Sequence, residues 1–245
     1  MTATAPPLPR IISFGDHEGR TWGCLLQAGE PLMAVAVGED TTSSAGADAI
    51  ALQAEGGSWR VTGAGADLLV TPAADGDRPA GSAADELCSV AGSLTVRGTE
   101  HPVQAIGTAS LGEPLDVGRL DSLRALAAWF EADDGVALLA LRPSGRHDHE
   151  SDIVAATVFE PDGVVPVDDP RLSTTYRPPE QPERASLELW IGEGEEQYPR
   201  RAAAEARGEA TIVSSDHVQL SVTPMRCHKG GRDGVGVYVL ARFSR

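Results

Sequence analysis

The segment RHDHE holds the densest group of ionisable side chains in the sequence and includes His147 and His149. On an extended strand these two imidazoles point to the same side, about 6–7 Å apart. That spacing suits two ligands of one metal ion or an acid–base pair, although a third metal ligand such as His17 or His228 would have to come from elsewhere. A solvated connector between strands is the ordinary alternative. We predict a connector without a metal site, and we retain His149 as a candidate pocket residue.

The other candidates for nucleophilic chemistry are weaker. Cys227 and His228 have the residue types of a nucleophile and a base, but adjacent residues on a strand point to opposite faces. The three cysteines, Cys24, Cys88 and Cys227, form no CxxC pair, so we expect free and mostly buried thiols. The sequence contains no GxSxG, P-loop or HExxH motif.

A hairpin is predicted to position the central part of the chain. Its two apolar runs, Leu123–Phe130 and Val136–Leu141, are joined by the turn-rich segment EADDG. Residues 120–130 also fit a helix, because several apolar residues fall on a helical stripe. The strand alternative places the following residues on one face: Leu123, Ala125, Ala127 and Trp129. We favour the strand, because the turn and the VALLAL run that follows it are typical of a hairpin.

Short apolar runs separated by Gly, Pro and Asp clusters continue on both sides of this hairpin. This pattern predicts an all-β, antiparallel fold with two similar lobes, built either as two small barrels or as one closed double sheet. We expect a loose tail at 1–9, a first lobe at 10–115 and a second lobe at 116–245, packed as one unit. One segment, RRAAAEAR, suggests a helical turn because it is rich in alanine.

The composition restricts the partners and the location. A net charge of −16 argues against binding to a nucleic acid or to an anionic membrane surface. No apolar run approaches the roughly 20 residues that a membrane helix needs. We expect a soluble cytoplasmic protein that needs no cofactor.

The C-terminal half resembles the two-lobed lipocalin-like proteins related to carotenoid hydratases of the hydroxyneurosporene synthase type. The resemblance depends on the Arg142-Pro143 corner, His149, the strand that contains Tyr176, and the Glu188-Leu189-Trp190 strand. It implies a calycin-type architecture. Enzymes of that kind add water to unsaturated terpenoid-like molecules or cyclise them, and many relatives have no assigned activity.

A pocket in such a fold is expected at the mouth of a barrel or between the lobes. Its predicted ligand-binding residues combine aromatic and polar side chains: Trp129, Arg142, Tyr176, Trp190 and Tyr238. Glu188 and His149 are the predicted catalytic residues. An acid such as Glu188 could protonate a double bond if burial kept its carboxyl group protonated.

Three functional hypotheses follow. The first is a β-barrel protein that binds a small hydrophobic or isoprenoid-like molecule and acts as a hydratase or cyclase. The second is a non-catalytic protein of the same fold that binds a ligand or a partner chain. The third is a metal-dependent hydrolase that uses His147 and His149.

Overall fold

Regular structure in this chain is almost entirely β-strand. The computed structural model describes residues 7–73, 85–146, 151–178, 180–192 and 199–244. A 3-10 turn lies at Val117–Arg119, and within these ranges no helix is long and apolar enough to span a membrane. The predicted all-β, two-lobed, lipocalin-like architecture is confirmed.

The first lobe is a nine-stranded antiparallel sheet. In space the strands run in the order β4-β3-β2-β1-β9-β8-β7-β6-β5. Their bounds along the chain are β1 Ile11–Gly15, β2 Thr21–Ala28, β3 Glu30–Val37, β4 Asp40–Ala45, β5 Ile50–Glu55, β6 Ser58–Gly63, β7 Ala66–Pro72, β8 Asp85–Val96 and β9 Thr99–Ser110.

The second lobe is a ten-stranded antiparallel sheet. Its spatial order is β13-β12-β11-β10-β19-β18-β16-β15-β14, and β17 pairs with β18 beside this path. The bounds are β10 Leu120–Glu131, β11 Asp134–Pro143, β12 Ile153–Glu160, β13 Gly163–Pro166, β14 Asp169–Arg177, β15 Gln181–Trp190, β16 Arg200–Ala206, β17 Thr211–Ser214, β18 Val218–Lys229 and β19 Arg232–Phe243.

The two lobes share one topology. In each sheet the first strand lies between the second strand and the last one, so that β1 pairs with β2 and β9, and β10 pairs with β11 and β19. Each sheet also curls, because β5 approaches β3 in the first lobe and β14 approaches β12 in the second. The loose match between the two halves of the sequence therefore corresponds to a repeat in strand order.

Strand β10 settles the ambiguity between helix and strand at residues 120–130. It pairs with β11 over nearly its whole length, and the register joins Leu123 to Leu141 and Ala127 to Ala137. The predicted face, which includes Leu123 and Trp129, packs against the first lobe, while Leu126 and Phe130 face the interior of the second lobe. The strand prediction is confirmed.

The prediction of a helical turn in RRAAAEAR is wrong, because this segment forms β16. Ala202 and Ala204 are buried in the second lobe, whereas Arg201 and Glu205 are exposed. This alternation has the period of a strand, and pairing with β15 and β18 outweighs the helical preference of alanine.

Three apolar cores hold the molecule together. One fills each lobe, and the third lies between the lobes, where β1, β2 and β3 face β10, β18 and β19. Part of the predicted loose tail is also anchored, because the buried Trp59 donates its Nε1 hydrogen to the Pro7 carbonyl at 3.0 Å. Residues 1–6 lie outside the described ranges.

The interlobe core gives a test of whether the lobes are packed as one unit. Leu123 is fully buried in this core, so Leu123→Ala should lower the free energy of unfolding by about 2–5 kcal/mol. Urea unfolding followed by tryptophan fluorescence and by circular dichroism should still show a single transition. The control Leu8→Ala, at a half-exposed residue, should change little. Two separate transitions in the wild type would contradict the packing of the lobes as one unit.

Candidate functional site

Three hydroxyl groups meet in the second lobe, where Tyr238 is buried and Tyr176 is 39% exposed. The Tyr238 hydroxyl lies 3.1 Å from Thr174 Oγ1 and 3.1 Å from the Tyr176 hydroxyl. Tyr238 belongs to β19 and the other two residues belong to β14, and these strands are not neighbours in the sheet. The contacts therefore cross the interior of the lobe. We call Tyr238, Thr174 and Tyr176 the hydroxyl cluster.

A fourth hydroxyl lies beside this cluster and has no partner. Thr223 pairs directly with Tyr238 in the β18–β19 register. Its side chain is fully buried, and Thr223 Oγ1 makes no hydrogen bond to any residue that the structure describes. A buried hydroxyl without a partner costs free energy, so it marks a position where a ligand or a water molecule can bind.

The electrostatics of the cluster keep Tyr238 neutral. Burial raises the pKa of Tyr238, and the neighbouring Tyr176 raises it further. The Thr174 hydrogen bond and the charge of Arg124 oppose this shift without cancelling it. Tyr238 is therefore a phenol at neutral pH, which donates or accepts a hydrogen bond and does not act as a phenolate base.

A buried ion cluster supports the same region. Asp152 accepts hydrogen bonds from Arg142, at 2.8 Å from Nε and 3.1 Å from Nη2, and it also pairs with Arg124. Its side chain is 2% exposed. Burial alone would raise the pKa of Asp152, but hydrogen bonds and charge from Arg142 and Arg124 outweigh it and hold the pKa below the usual range.

A cavity of about 370 Å³ opens next to these groups. Gln219 and Arg242 pair at its wall, Ser221 and Leu240 pair one step further along β18 and β19, and the next step in the same direction brings Thr223 beside Tyr238. Residues two apart on a strand share a face and are about 6–7 Å apart. The unpartnered hydroxyl therefore lies within one step of the cavity wall, and we call this region the second-lobe mouth.

The opposite end of the second lobe is closed by ion pairs. Asp134 begins β11 at the hairpin turn, where it pairs with Lys229 and, at 2.6 Å, with Arg232. The Lys229 ammonium also lies 5.0 Å from the centroid of the Phe130 ring. Since Phe130 is six residues along β10 from Arg124, these ion pairs and the second-lobe mouth lie at different ends of the lobe.

The structure brings three of the predicted ligand-binding residues to this region of the second lobe. Tyr176 and Tyr238 belong to the hydroxyl cluster, and Arg142 belongs to the neighbouring ion cluster. Trp129 lies elsewhere, in the interlobe core, where its ring packs over Gly15. Its Nε1 has no partner among the described residues.

Glu188 and Trp190 lie on the outer face of β15. Leu187 and Leu189 alternate with them and fill the interior of the lobe. Glu188 is 38% exposed and pairs with Arg201 at 3.1 Å. Trp190 is half-buried, with the Arg171 guanidinium 5.6 Å from its ring centroid. The burial that a general acid at Glu188 would need is absent from this position.

The histidine hypotheses have different outcomes. His147 and His149 lie outside the described residues. Among the described residues, no three side chains of His, Cys, Asp or Glu converge to hold a metal ion. Cys227 is buried inside the second lobe, whereas His228 is exposed and lies 3.2 Å from Asp233, so these neighbours point to opposite faces as predicted.

All three cysteines are free and buried, as predicted. Burial raises the pKa of Cys24 to about 12 and that of Cys227 to about 12. These thiols are therefore unreactive in the folded protein at neutral pH.

Sequence reasoning missed Arg124, Thr174 and Thr223. Arg124 did carry a signal, because a charged residue inside the apolar run LRALAAWF must find a partner if the run is buried on both faces. The two threonines carried none. The contact of Thr174 with Tyr238 depends on the approach of β14 to β19 across the lobe, which no local pattern specifies.

The fold relates the chain to solved structures. It is similar to CghA, with a TM-score of 0.59, 11% identity, and coverage of 96% of this chain and 87% of that one. Kievitone hydratase from Nectria haematococca gives a TM-score of 0.59 and 8% identity, and the match covers 95% of this chain and 88% of that one. A putative AttH from Nitrosomonas europaea gives a TM-score of 0.57 and 11% identity, and the match covers 98% of this chain and 98% of that one.

At these identities the similarity establishes the shared fold. Comparison with family models gives no match. Comparison with curated proteins gives no significant match either.

The ion cluster gives a test of stability. Asp152→Asn would leave two guanidinium groups facing each other, and we expect it to lower the free energy of unfolding by about 3 kcal/mol. Because the pKa of Asp152 is lowered in the folded state, its stabilisation is present above the ordinary aspartate value of about 3.9 and is lost as the pH falls through the lowered value.

Urea unfolding at pH 7 measures the effect of this substitution. The matched control is Asp169→Asn, which removes the carboxylate of an exposed pair with Arg171 and should change little. Equal effects of the two substitutions would show that the ion cluster does not stabilise the second-lobe mouth.

Proposed function

We propose that the second-lobe mouth binds a small molecule that has an apolar body and at least one oxygen atom. The observation that carries the proposal is the unpartnered Thr223 hydroxyl beside the hydroxyl cluster, one step from a cavity of about 370 Å³. A cavity of that volume with mixed polar and apolar walls is typical of small-molecule sites.

The hydroxyl cluster has a hydrogen to spare for such a ligand. Its three hydroxyl groups carry three hydrogens and make two mutual hydrogen bonds. At least one O–H can therefore point to a carbonyl, ether or hydroxyl oxygen. The Thr223 hydroxyl can donate a second hydrogen bond or accept one, so the site discriminates against a purely hydrocarbon ligand.

We further propose that the protein is a hydratase or cyclase acting on an unsaturated, isoprenoid-like molecule. The fold it shares with kievitone hydratase supports this proposal, together with the resemblance of the C-terminal half to carotenoid hydratases. A neutral Tyr238 can polarise a ligand oxygen by hydrogen bonding, which would activate a conjugated double bond towards water. Predicted ligand contacts of Arg142, Tyr176 and Tyr238 belong to the same proposal.

The catalytic roles of Glu188 and His149 remain predictions, as do ligand contacts of Trp129 and Trp190. For Glu188, the exposed position on the outer face requires a substrate that reaches that face. His149 precedes Asp152 by three residues in the chain. A non-catalytic protein that binds a ligand or a partner chain is the alternative, and the apolar side chains that fill both lobe interiors favour a role without catalysis.

Binding and folding can be separated at Thr223. Thr223→Val keeps the side-chain shape and removes a hydroxyl that has no partner, so the free energy of unfolding should stay the same or rise. Loss of one hydrogen bond should lower the affinity for the co-purifying small molecule about tenfold. Mass spectrometry of small molecules that co-purify with each variant measures the loss.

Adjacent residues on β14 supply a matched pair for the same measurement. Thr174 faces the lobe interior and Thr175 is exposed, so Thr174→Val should lose the small molecule and Thr175→Val should keep it. Retention by Thr223→Val, Thr174→Val and Tyr238→Phe alike would contradict binding at the second-lobe mouth.

Catalysis is tested separately from binding. If Glu188 and His149 are the acid and base, Glu188→Gln and His149→Gln should each lower turnover at least about 100-fold, while the bound molecule is retained. Arg184→Gln, on the exposed face of the same strand as Glu188, is the control. Unchanged turnover in both variants would exclude these catalytic roles and leave the binding proposal intact.

A further inference from the structure

A buried carboxyl group that is not part of the hydroxyl cluster lies at the contact between the two lobes. Asp85 begins β8 in the first lobe and is 8% exposed. The hydroxyl groups of Ser110, in its own lobe, and of Thr157, on β12 of the second lobe, both influence its pKa. Both of these residues are buried as well. The carboxyl group is therefore part of the contact between the lobes.

Asp85 also lines a small interlobe cavity of about 20 Å³. One wall is polar and contains Ser13, Thr108 and Ser110, while β10 and β11 provide an apolar wall. A buried water molecule needs roughly 10–15 Å³ of such volume and two to four polar partners. The volume and the polar wall both meet these requirements.

Among the residues that the structure describes, one charged group acts on the Asp85 carboxyl. Burial raises the pKa of Asp85 to about 6, although Ser110, Arg10 and Thr157 oppose the shift. Arg10, just before β1, is the charged group that acts on it. Cys88, on β8, is a neutral thiol because burial raises its pKa. The β10 and β11 residues that line the cavity are all alanine or leucine.

We propose that this interlobe cavity binds one water molecule hydrogen-bonded to Asp85, and that the carboxyl takes up a proton when the lobes pack together. The second lobe then contributes an apolar wall, and the burial that this wall provides favours the uncharged acid more strongly than the Thr157 hydroxyl opposes it. The water molecule gives the carboxyl a hydrogen-bond partner in either protonation state. The contact between the lobes thereby becomes sensitive to pH in the weakly acidic range.

The direction of the effect follows from linkage. The folded protein holds the proton on Asp85 more tightly than the unfolded chain does, where an aspartate titrates near about 3.9. The contribution of the protonated carboxyl is complete below that value and is lost as the pH rises through about 6.

The direct test is a carbon-13 NMR titration of wild-type protein labelled at the aspartate carboxyl carbons, with the Asp85 signal assigned by its absence in Asp85→Asn. We expect a midpoint near 6, more than one pH unit above the ordinary value. A midpoint below about 4.5 would overturn the proposal. Should Asp85→Asn fail to fold, Thr157→Val serves for the assignment by moving the Asp85 signal.

Stability gives an independent readout. The wild-type urea midpoint should fall between pH 4 and pH 8 by more than that of Asp85→Asn, because only the wild type must bury a charge at high pH. Asp67→Asn, which removes an exposed carboxylate paired with Arg60, should keep the wild-type trend. Equal pH trends in wild type and Asp85→Asn would contradict proton uptake at this site.

The water molecule itself is tested by a crystal structure of the wild type at high resolution. An ordered water within hydrogen-bond distance of Asp85 and of Ser13 or Thr108 supports the proposal. A cavity closed by side chains without water would refute it.

Discussion

The requirement that the central strands pack on both faces governs the rest of this structure. Strands β10 and β19 fill the second-lobe interior with one set of side chains and the interlobe core with the other set. Strands β1 and β2 do the same for the first lobe. A strand buried on both faces cannot alternate between apolar and polar residues, which explains the nearly continuous apolar runs of the sequence.

This double burial determines where charge can exist. Arg124 lies within the buried run of β10, so its charge must be neutralised inside the protein. The Asp152 carboxylate does this and also pairs with Arg142. At the other end of the lobe, the buried carboxylate of Asp134 is neutralised in the same way by Lys229. Between these ion pairs the interior is apolar except for hydroxyl groups, and the buried Thr223 hydroxyl has no partner within the described residues. Polar chemistry in the second lobe is therefore concentrated at its mouth.

Much of the fold could be predicted from the sequence, because strand alternation and turn clusters are local signals. The pairing of β10 with β11 followed from the EADDG turn. The prediction of a helical turn in RRAAAEAR failed, because helix propensity is a local property whereas the pairing of β16 depends on neighbouring strands. For the site, the sequence showed that Glu188 and Trp190 share a face but could not show that this face is the outer one. Only the curvature of the sheet decides which set of side chains lies inside.

The most direct test of the account is a crystal structure of the protein with the small molecule that co-purifies with it. The account predicts electron density in the second-lobe mouth, with a ligand oxygen within hydrogen-bond distance of Thr223 and of a hydroxyl of Tyr238, Tyr176 or Thr174. Density located between the lobes, or on the outer face beside Glu188 with the Thr223 hydroxyl still unpartnered, would contradict it.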